Sequence, residues 1–459
     1  MIIHVRCFPA SIANGFSFLV GAGRASHDYR LKEAQKGNTI EPGTNGTPAQ
    51  AVSSLNPCLS PLLQHLSLLD KKHLNRGRIP MKKVVIIGSG KIGAAIAKLL
   101  YHSEDYDIEV VDQEADPLHH LKQLIPVRTH QLDITNRQKL VAVLKGKERV
   151  ISACPYSVNP SIARAALEAG VSYFDLTEDR ETTRAIRSTA KKAAGGQVFM
   201  PQCGLAPGYI AILASDTCRE FERLDQVKMR VGALPQFPSN TIMYNLTWST
   251  DGLINEYCNP CEAIDKGKMK EVQPLEGIEL FSLDGVNYEA FNTSGGLGTL
   301  CETLDGKVYH LNYKTVRYQG HQYLMAFLIN SLRLGDRREI LKDILETAIP
   351  VTLQDVVLIF VSVSGWKTGQ LLQVNRAYKI YHQTLFGEAW SSIQLTTAAG
   401  VCAVMDLFAQ GVMTGSGFIR QESVSLADFL ENRFGAYYKK AQNLDLSTKM
   451  DIPQNMEGS

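Results

Sequence analysis

The sequence predicts an α/β fold, a doubly wound parallel sheet followed by an α+β domain, on three observations. From Met81 to about Met200, strand-length apolar runs alternate with helix-length segments, the pattern of parallel strands joined by right-handed crossovers. The first of these strands runs into a G-x-G-x-x-G, Gly88-Ser89-Gly90-Lys91-Ile92-Gly93, that opens a helix. Beyond Gly204 the pattern changes to longer alternating strands with amphipathic helices between them.

The first domain, 81–203, reads as a Rossmann unit. Val84–Ile87 is uniformly apolar, as expected of a strand buried on both faces. Gly88 suits the tight turn out of it, Gly90 lets a pyrophosphate approach the backbone, and Gly93 lets helix and strand pack closely. Ser89, Lys91 and Ile92 fill the loop, whose N–H groups at the helix start face the phosphates. A second strand, Ile108–Val111, ends at Asp112, nineteen residues after Gly93, where an acid accepts hydrogen bonds from the adenosine ribose. The carboxylate repels a 2′-phosphate, so NAD is expected over NADP. Val127–Gln131 is a third strand leading to an adenine-side loop at Asp133, and Arg149–Ala153 a fourth, followed by Cys154-Pro155-Tyr156. The strand Ser172–Leu176 leads into Thr177-Glu178. Ligands in such sheets sit beyond the carboxyl ends of the strands, which brings Ala153, Cys154, Pro155, Tyr156, Asp175 and Glu178 to the site.

The second domain, 204–394, begins at the turn-rich Gly204-Leu205-Ala206-Pro207-Gly208 and a helix, Tyr209–Phe221. Strands are expected at Gln226–Leu234, Ile242–Ser249, Val308–Tyr318, Asp355–Val363 and Leu371–Gln383, the last two forming a hairpin. Helices are expected at His321–Leu334 and Arg338–Ala348. A final apolar helix, Leu395–Val412, within 395–442, is expected to return to the first domain, before a disordered tail over 443–459. Residues 1–80, with no sustained periodicity, read as a disordered leader or an over-extended start.

Composition bounds the rest. The 459 residues are 44% hydrophobic and 20% charged, enough for a sizeable core. A net charge of +2, made of +5 in residues 1–80 and −3 in the remainder, argues against a nucleic-acid surface. No apolar run is read as long enough for a membrane span. Nine scattered cysteines fit a reducing, cytoplasmic setting. Cys258-Asn259-Pro260-Cys261 has neither a second pair nor a nearby His, so no metal is expected.

Four stretches resemble the saccharopine dehydrogenase superfamily, most closely its lysine 6-dehydrogenase branch: Gly204–Gly208, Val231-Gly232-Ala233-Leu234-Pro235, Glu289–Gly296 and Tyr313–His321. The likeness covers about Lys82 to Tyr437; Cys203 before the turn and Cys154-Pro155-Tyr156 depart from the pattern and leave the exact amine open. The resemblance implies a nicotinamide-dependent oxidoreductase acting at an amine-bearing carbon of an amino acid such as L-lysine. It also implies a homodimer or higher homo-oligomer built through the second domain. Saccharopine- or carboxynorspermidine-type secondary amines compete as substrates, as does a non-catalytic NAD-binding regulator.

Oxidising a C–N bond needs a hydride acceptor, a base, and for an amino acid a carboxylate anchor. Arg317 is the expected anchor, because a guanidinium holds a carboxylate by two parallel bonds. His321 is the expected base, with Lys314 and Asp175 as substitutes. Glu178 is expected to bind the substrate ammonium, Tyr156 to close over the nicotinamide, and Ser294-Gly295 to present N–H groups to a carboxylate.

Overall fold

The structure, a computed structural model, describes residues 81–439 and the backbone of 442–444. The expected leader over 1–80 and the tail beyond Leu444 lie outside the described residues. The first domain alternates β1 (Lys82–Ile87), α1 (Lys91–Tyr101), β2 (Tyr106–Asp112), α2 (Ala115–Leu124), β3 (Arg128–Gln131), α3 (Arg137–Leu144), β4 (Arg149–Ser152), α4 (Asn159–Ala169), β5 (Ser172–Asp175), α5 (Arg180–Ala190) and β6 (Val198–Met200). The strands lie in the order β3-β2-β1-β4-β5-β6, all parallel, and the short strand Gly417–Phe418 extends the sheet beyond β6. The chain reverses direction across the sheet between β1 and β4, which opens a crevice above their carboxyl ends.

Side-chain alternation explains the layers. Val84 and Ile86 of β1 face one core with α1, while Val85 and Ile87 face a second core with α3 and α4. Local chemistry sets the helix ends. Asp179 accepts the Thr182 N–H to cap α5. Gly170, at φ +71°, ends α4 in the left-handed conformation.

The second domain continues through α6 (Tyr209–Cys218), β7 (Arg223–Pro235), α7 (Thr250–Cys258), β8 (Cys261–Asp265), β9 (Lys268–Val272), β10 (Glu279–Leu283), β11 (Val286–Asn292), α8 (Leu300–Leu304), β12 (His310–Tyr318), α9 (His321–Ala326), α10 (Arg338–Ala348), β13 (Asp355–Lys367) and β14 (Gln370–Tyr381). Its mixed sheet runs β10-β11-β12-β7-β13-β14, with β12 and β7 parallel and the other pairs of this series antiparallel. β13 and β14 form the expected hairpin. Backbone of Gln442–Leu444 pairs with β14, so order extends into the first residues of the expected tail.

Other expectations need correction. Ile242–Ser249 is not a strand; it holds one isolated bridge, Leu246 to Val351. Asn240 instead folds the chain back, accepting from the Tyr244 N–H and donating to its carbonyl, and Ser249 caps α7. The helix begun at His321 passes into a π-helical turn at Phe327–Ser331. Strands β8 to β11 carry mixed polar residues and show little of the alternation by which strands are read.

Helix α11 (Ser392–Ala409) returns to the first domain and lies against α1 and β13. With 18 residues and a mean hydropathy of 1.4, it is long and apolar enough for a membrane span, contrary to expectation. However, 72% of it is buried inside the fold, and its apolarity is that of a core helix. Leu395, Ala399 and Cys402 are fully buried, so truncating Leu395 to Ala should cost about 2–5 kcal/mol. The helix thereby fastens the two domains on either side of the crevice.

Candidate active site

The glycine loop has the shape a pyrophosphate requires. Gly88 has φ +98°, and a Cβ there would meet the Ala153 carbonyl oxygen at 3.0 Å. A Cβ on Gly93 would lie 1.9 Å from the Gly88 carbonyl oxygen, so only glycine permits this turn. Gly90, by contrast, faces open space, and no side chain caps the α1 N-terminus. The unsatisfied N–H groups of that eleven-residue helix are therefore free to receive an anion.

Asp112 closes β2 as expected. Its Oδ2 accepts from the Ser89 N–H at 2.6 Å and the Ser89 hydroxyl at 2.7 Å, and its Oδ1 from the Glu114 N–H at 3.0 Å. Burial alone would raise its pKa, but these bonds outweigh burial and hold the carboxyl below its usual range. It is thus charged at neutral pH, and a carboxylate's four lone-pair sites leave room for a ribose hydroxyl. Asp133 caps its own loop, accepting from the Thr135 N–H and hydroxyl.

A cavity of about 310 Å³ opens above the β4 and β5 ends, between the two domains. The first domain contributes Ile92, Ala153, Cys154, Pro155, Tyr156, Leu176, Thr177 and Glu178. The Gly204–Pro207 turn forms one side, and Ile393 and Thr397 of α11 another. The second domain supplies Val231 and Ala233 from β7, Trp248, Ser249, Asp251, Gly252 and Glu256 around α7, and Tyr313, Thr315 and Arg317 from β12. The β12 residues are spaced by two, so pleating puts all three on the cavity side. Cys154 is a thiol, its pKa pushed up to about 12 by burial and then by Asp112, and is no nucleophile at neutral pH.

Arg317 is 2% exposed and rigidly held. Its Nε donates to the Tyr257 hydroxyl at 2.9 Å, and its Nη1 to Thr315 Oγ1 and the Val316 carbonyl, each at 2.8 Å. The Tyr244 ring lies 5.2 Å away, within cation–π range. No hydrogen bond from Nη2 and no ion pair of Arg317 is made among the described residues, which leaves one edge of the fork for a ligand. Among the described residues, Arg317 is the one cation lining the cavity.

Three expected bases do not reach the cavity. His321 is 0% exposed. Its Nδ1 lies 2.9 Å from the Ile242 carbonyl and must donate to it, so its Nε2 accepts from the Tyr257 hydroxyl at 3.0 Å. Burial, then the Arg317 charge, pushes its pKa down to about 3, so it stays neutral and cannot take up a proton at working pH. Lys314 falls on the opposite face of β12 from Arg317 and pairs with Glu279 at 2.6 Å. Asp175 lies buried beneath the site, accepting from the Tyr173 hydroxyl and the Thr177 and Gln202 N–H groups. It is a brace for two loops.

Ser294 and Gly295 also miss this cavity and line a neighbouring one of about 380 Å³. The Ser294 N–H donates to the Glu256 carbonyl at 3.0 Å and its hydroxyl to the Asn255 carbonyl. A Cβ on Gly295 would lie 2.7 Å from the Glu178 carbonyl oxygen, so this glycine presses the Glu178 loop into place. Both residues shape the site without presenting donors to the main cavity.

Glu178 lines both cavities. Burial chiefly, with help from Asp179 and Asp175, raises its pKa to about 7. Glu256, absent from the residues picked out by sequence, lines the main cavity on α7 and is raised to about 8 by burial, opposed by Arg317 and reinforced by Glu178. Gly252 and Glu256, four apart on a helix, share a face; that spacing was its only signal in the sequence.

The comparisons agree with this architecture. A family model described as the saccharopine dehydrogenase NADP binding domain matches residues 84–199, and one for the saccharopine dehydrogenase C-terminal domain matches 204–433. The mitochondrial alpha-aminoadipic semialdehyde synthase of Bos taurus is 21% identical over 333 residues, which are 69% of this chain and 35% of the relative. That of Rattus norvegicus is 22% identical over 198 residues, 42% of this chain and 21% of the relative. The NADP(+), L-glutamate-forming saccharopine dehydrogenase of Schizosaccharomyces pombe is 21% identical over 268 residues, 54% and 58% of the two chains. The chain therefore spans less than two thirds of the length of each of these relatives. Among solved structures, apo saccharopine dehydrogenase (L-Glu forming) from Saccharomyces cerevisiae shares the fold, with a TM-score of 0.63 at 18% identity over 74% of this chain and 94% of that one. With both halves matched in order, the chain belongs to the saccharopine dehydrogenase family, an oxidoreductase family whose first domain binds a nicotinamide dinucleotide.

Proposed function

We propose that this protein is an NAD-dependent dehydrogenase that oxidises the Cε–N bond of L-lysine. The observation that carries this reading is the charge pattern of the inter-domain cavity. Among the described residues it offers one cation, Arg317, and two acids outside any ion pair, Glu178 and Glu256. L-lysine carries one carboxylate and two amines. Asp251, the third acid, is already paired with Lys342 at 2.7 Å.

When bound, a nicotinamide dinucleotide would supply the hydride acceptor. The residues of this chain supply the rest. Arg317 grips the carboxylate, Tyr156 and Trp248 wall off water, and Glu178 takes the proton that must leave the distal ammonium before its carbon can be oxidised. A carboxyl near neutral pKa suits that transfer. The resulting imine hydrolyses to an aldehyde and ammonia.

For the cofactor, the charge on Asp112 supports NAD, since it disfavours a 2′-phosphate at the same place. The family description and the fission-yeast relative carry NADP in their names, which makes the ratio of the two kcat/KM values an early measurement.

A second reading, saccharopine, draws on the relatives' names and on the adjoining polar cavity that shares Glu178. Saccharopine carries three carboxylates, and the cations of that second cavity are engaged, Arg180 with Glu262 and Glu271 and Arg184 with Glu181. Nicotinamide reduction with each amine, followed by product analysis, separates the two. Lysine releases ammonia, and saccharopine releases a second amino acid. No reduction with either amine would refute the proposed activity.

A further inference from the structure

Arg317 and Glu256 line the same cavity, yet they do not pair: no nitrogen–oxygen approach within 4.0 Å joins them among the described residues. Each is close enough to shift the other's titration. Glu256 is 6% exposed, and among the described residues its carboxylate makes no hydrogen bond. Burial by itself holds this carboxyl largely protonated, and a cationic ligand group placed against it from the cavity would take up its charged form. The backbone of α7 is fixed from behind, since the Glu256 carbonyl accepts from Ser294, the Asn255 carbonyl accepts from the Ser294 hydroxyl, and Tyr257, the next residue, holds Arg317. The guanidinium and the Glu256 carboxyl are thus held apart by rigid elements, more than 4.0 Å from each other.

An α-amino acid presents a carboxylate and an ammonium on one carbon, a group that bridges such a gap. We infer that Glu256 binds the α-ammonium of the substrate whose carboxylate Arg317 holds, so that the site reads the zwitterionic head of a diamino acid and leaves the distal nitrogen to Glu178. This rests on the amino-acid reading above and adds a specificity-determining residue to it. It also unites the two candidate substrates, because lysine and the lysyl arm of saccharopine share that head.

The probe pair is L-lysine and 6-aminohexanoate, which differ by the α-amino group alone. Calorimetric titration of the full-length protein in the presence of NAD should give lysine at least a tenfold tighter Kd. In Glu256→Gln that preference should fall to about twofold or less, with 6-aminohexanoate affinity within about twofold of wild type. A wild-type protein that binds both compounds equally overturns the inference without recourse to any variant. So does a folded Glu256→Gln protein that keeps its preference, or loses affinity for both compounds alike, which would mark Glu256 as structural. Turnover separates the two claims. Equal kcat/KM for both compounds refutes the role of Glu256 and leaves an amine dehydrogenase standing. Selective, Glu256-dependent binding without turnover refutes the dehydrogenase and leaves the head-group site.

Discussion

Replacing Tyr257 with Phe tests the hydrogen-bonded chain behind Arg317. The hydroxyl accepts from Arg317 Nε and donates to His321 Nε2, and His321 Nδ1 donates to the Ile242 carbonyl. Phe retains the ring and removes only that oxygen. Two buried groups, a guanidinium N–H and an imidazole nitrogen, then lose their partner at about 1–3 kcal/mol each, so the fold should lose roughly 2–6 kcal/mol. Arg317 keeps its bonds to Thr315 and Val316, so the fork stays in the cavity but is less well fixed. Losing one net hydrogen bond of about 1 kcal/mol from its support should raise the KM for lysine roughly fivefold, with kcat changed less. Urea denaturation gives the first quantity and steady-state nicotinamide reduction the second. Unchanged stability together with an unchanged KM would show that the Tyr257 hydroxyl does not hold the anchor.

Other outcomes follow from the same geometry. Gly93→Ala puts a Cβ 1.9 Å from the Gly88 carbonyl oxygen, so dinucleotide affinity measured by fluorescence titration should drop more than tenfold in a protein that still unfolds cooperatively. Glu178→Gln should lower kcat by about 10²–10⁴ and remove the rise of rate through neutral pH, with little change in KM; a retained pH profile would put the base elsewhere. Asp112→Ser should narrow the gap between NAD and NADP in kcat/KM, and a wild-type preference for NADP would refute the cofactor reading. His321 is neutral when folded down to about pH 3, whereas an unfolded imidazole takes its proton near 6.5. The unfolded chain therefore binds more protons between those values, and stability falls as pH drops through that window, by about 2 kcal/mol at pH 5. His321→Asn should flatten this slope in denaturation curves taken from pH 7 to pH 5.

What could be read beforehand depended on sequence distance. The glycine loop, Asp112 and the alternating strands are local patterns, and the fold followed from them. Arg317 stood out because a guanidinium can hold a carboxylate by two parallel bonds and because it lies in a stretch that resembles the family. Lys314 could have been set aside on parity alone, since residues three apart on a strand point to opposite faces. The role of His321 was not legible, because its partner Tyr257 lies 64 residues earlier and its neutral state comes from burial that only tertiary packing creates. Glu256 resembles any acid on a half-polar helix until β12 and the β5 loop close over it. Ser294 and Gly295 looked like an anion-binding turn, and their donors and close contacts go to α7 and the Glu178 loop instead.

The central claim is that Arg317 anchors the carboxylate of an amino acid oxidised in the cavity between the domains. Steady-state NAD reduction by L-lysine, with wild type and Arg317→Lys measured side by side, tests it most directly. Lysine in place of arginine keeps the charge and loses the fork. The account predicts at least a tenfold rise in KM with kcat within about threefold. An Arg317→Lys enzyme with an unchanged KM for lysine would contradict it.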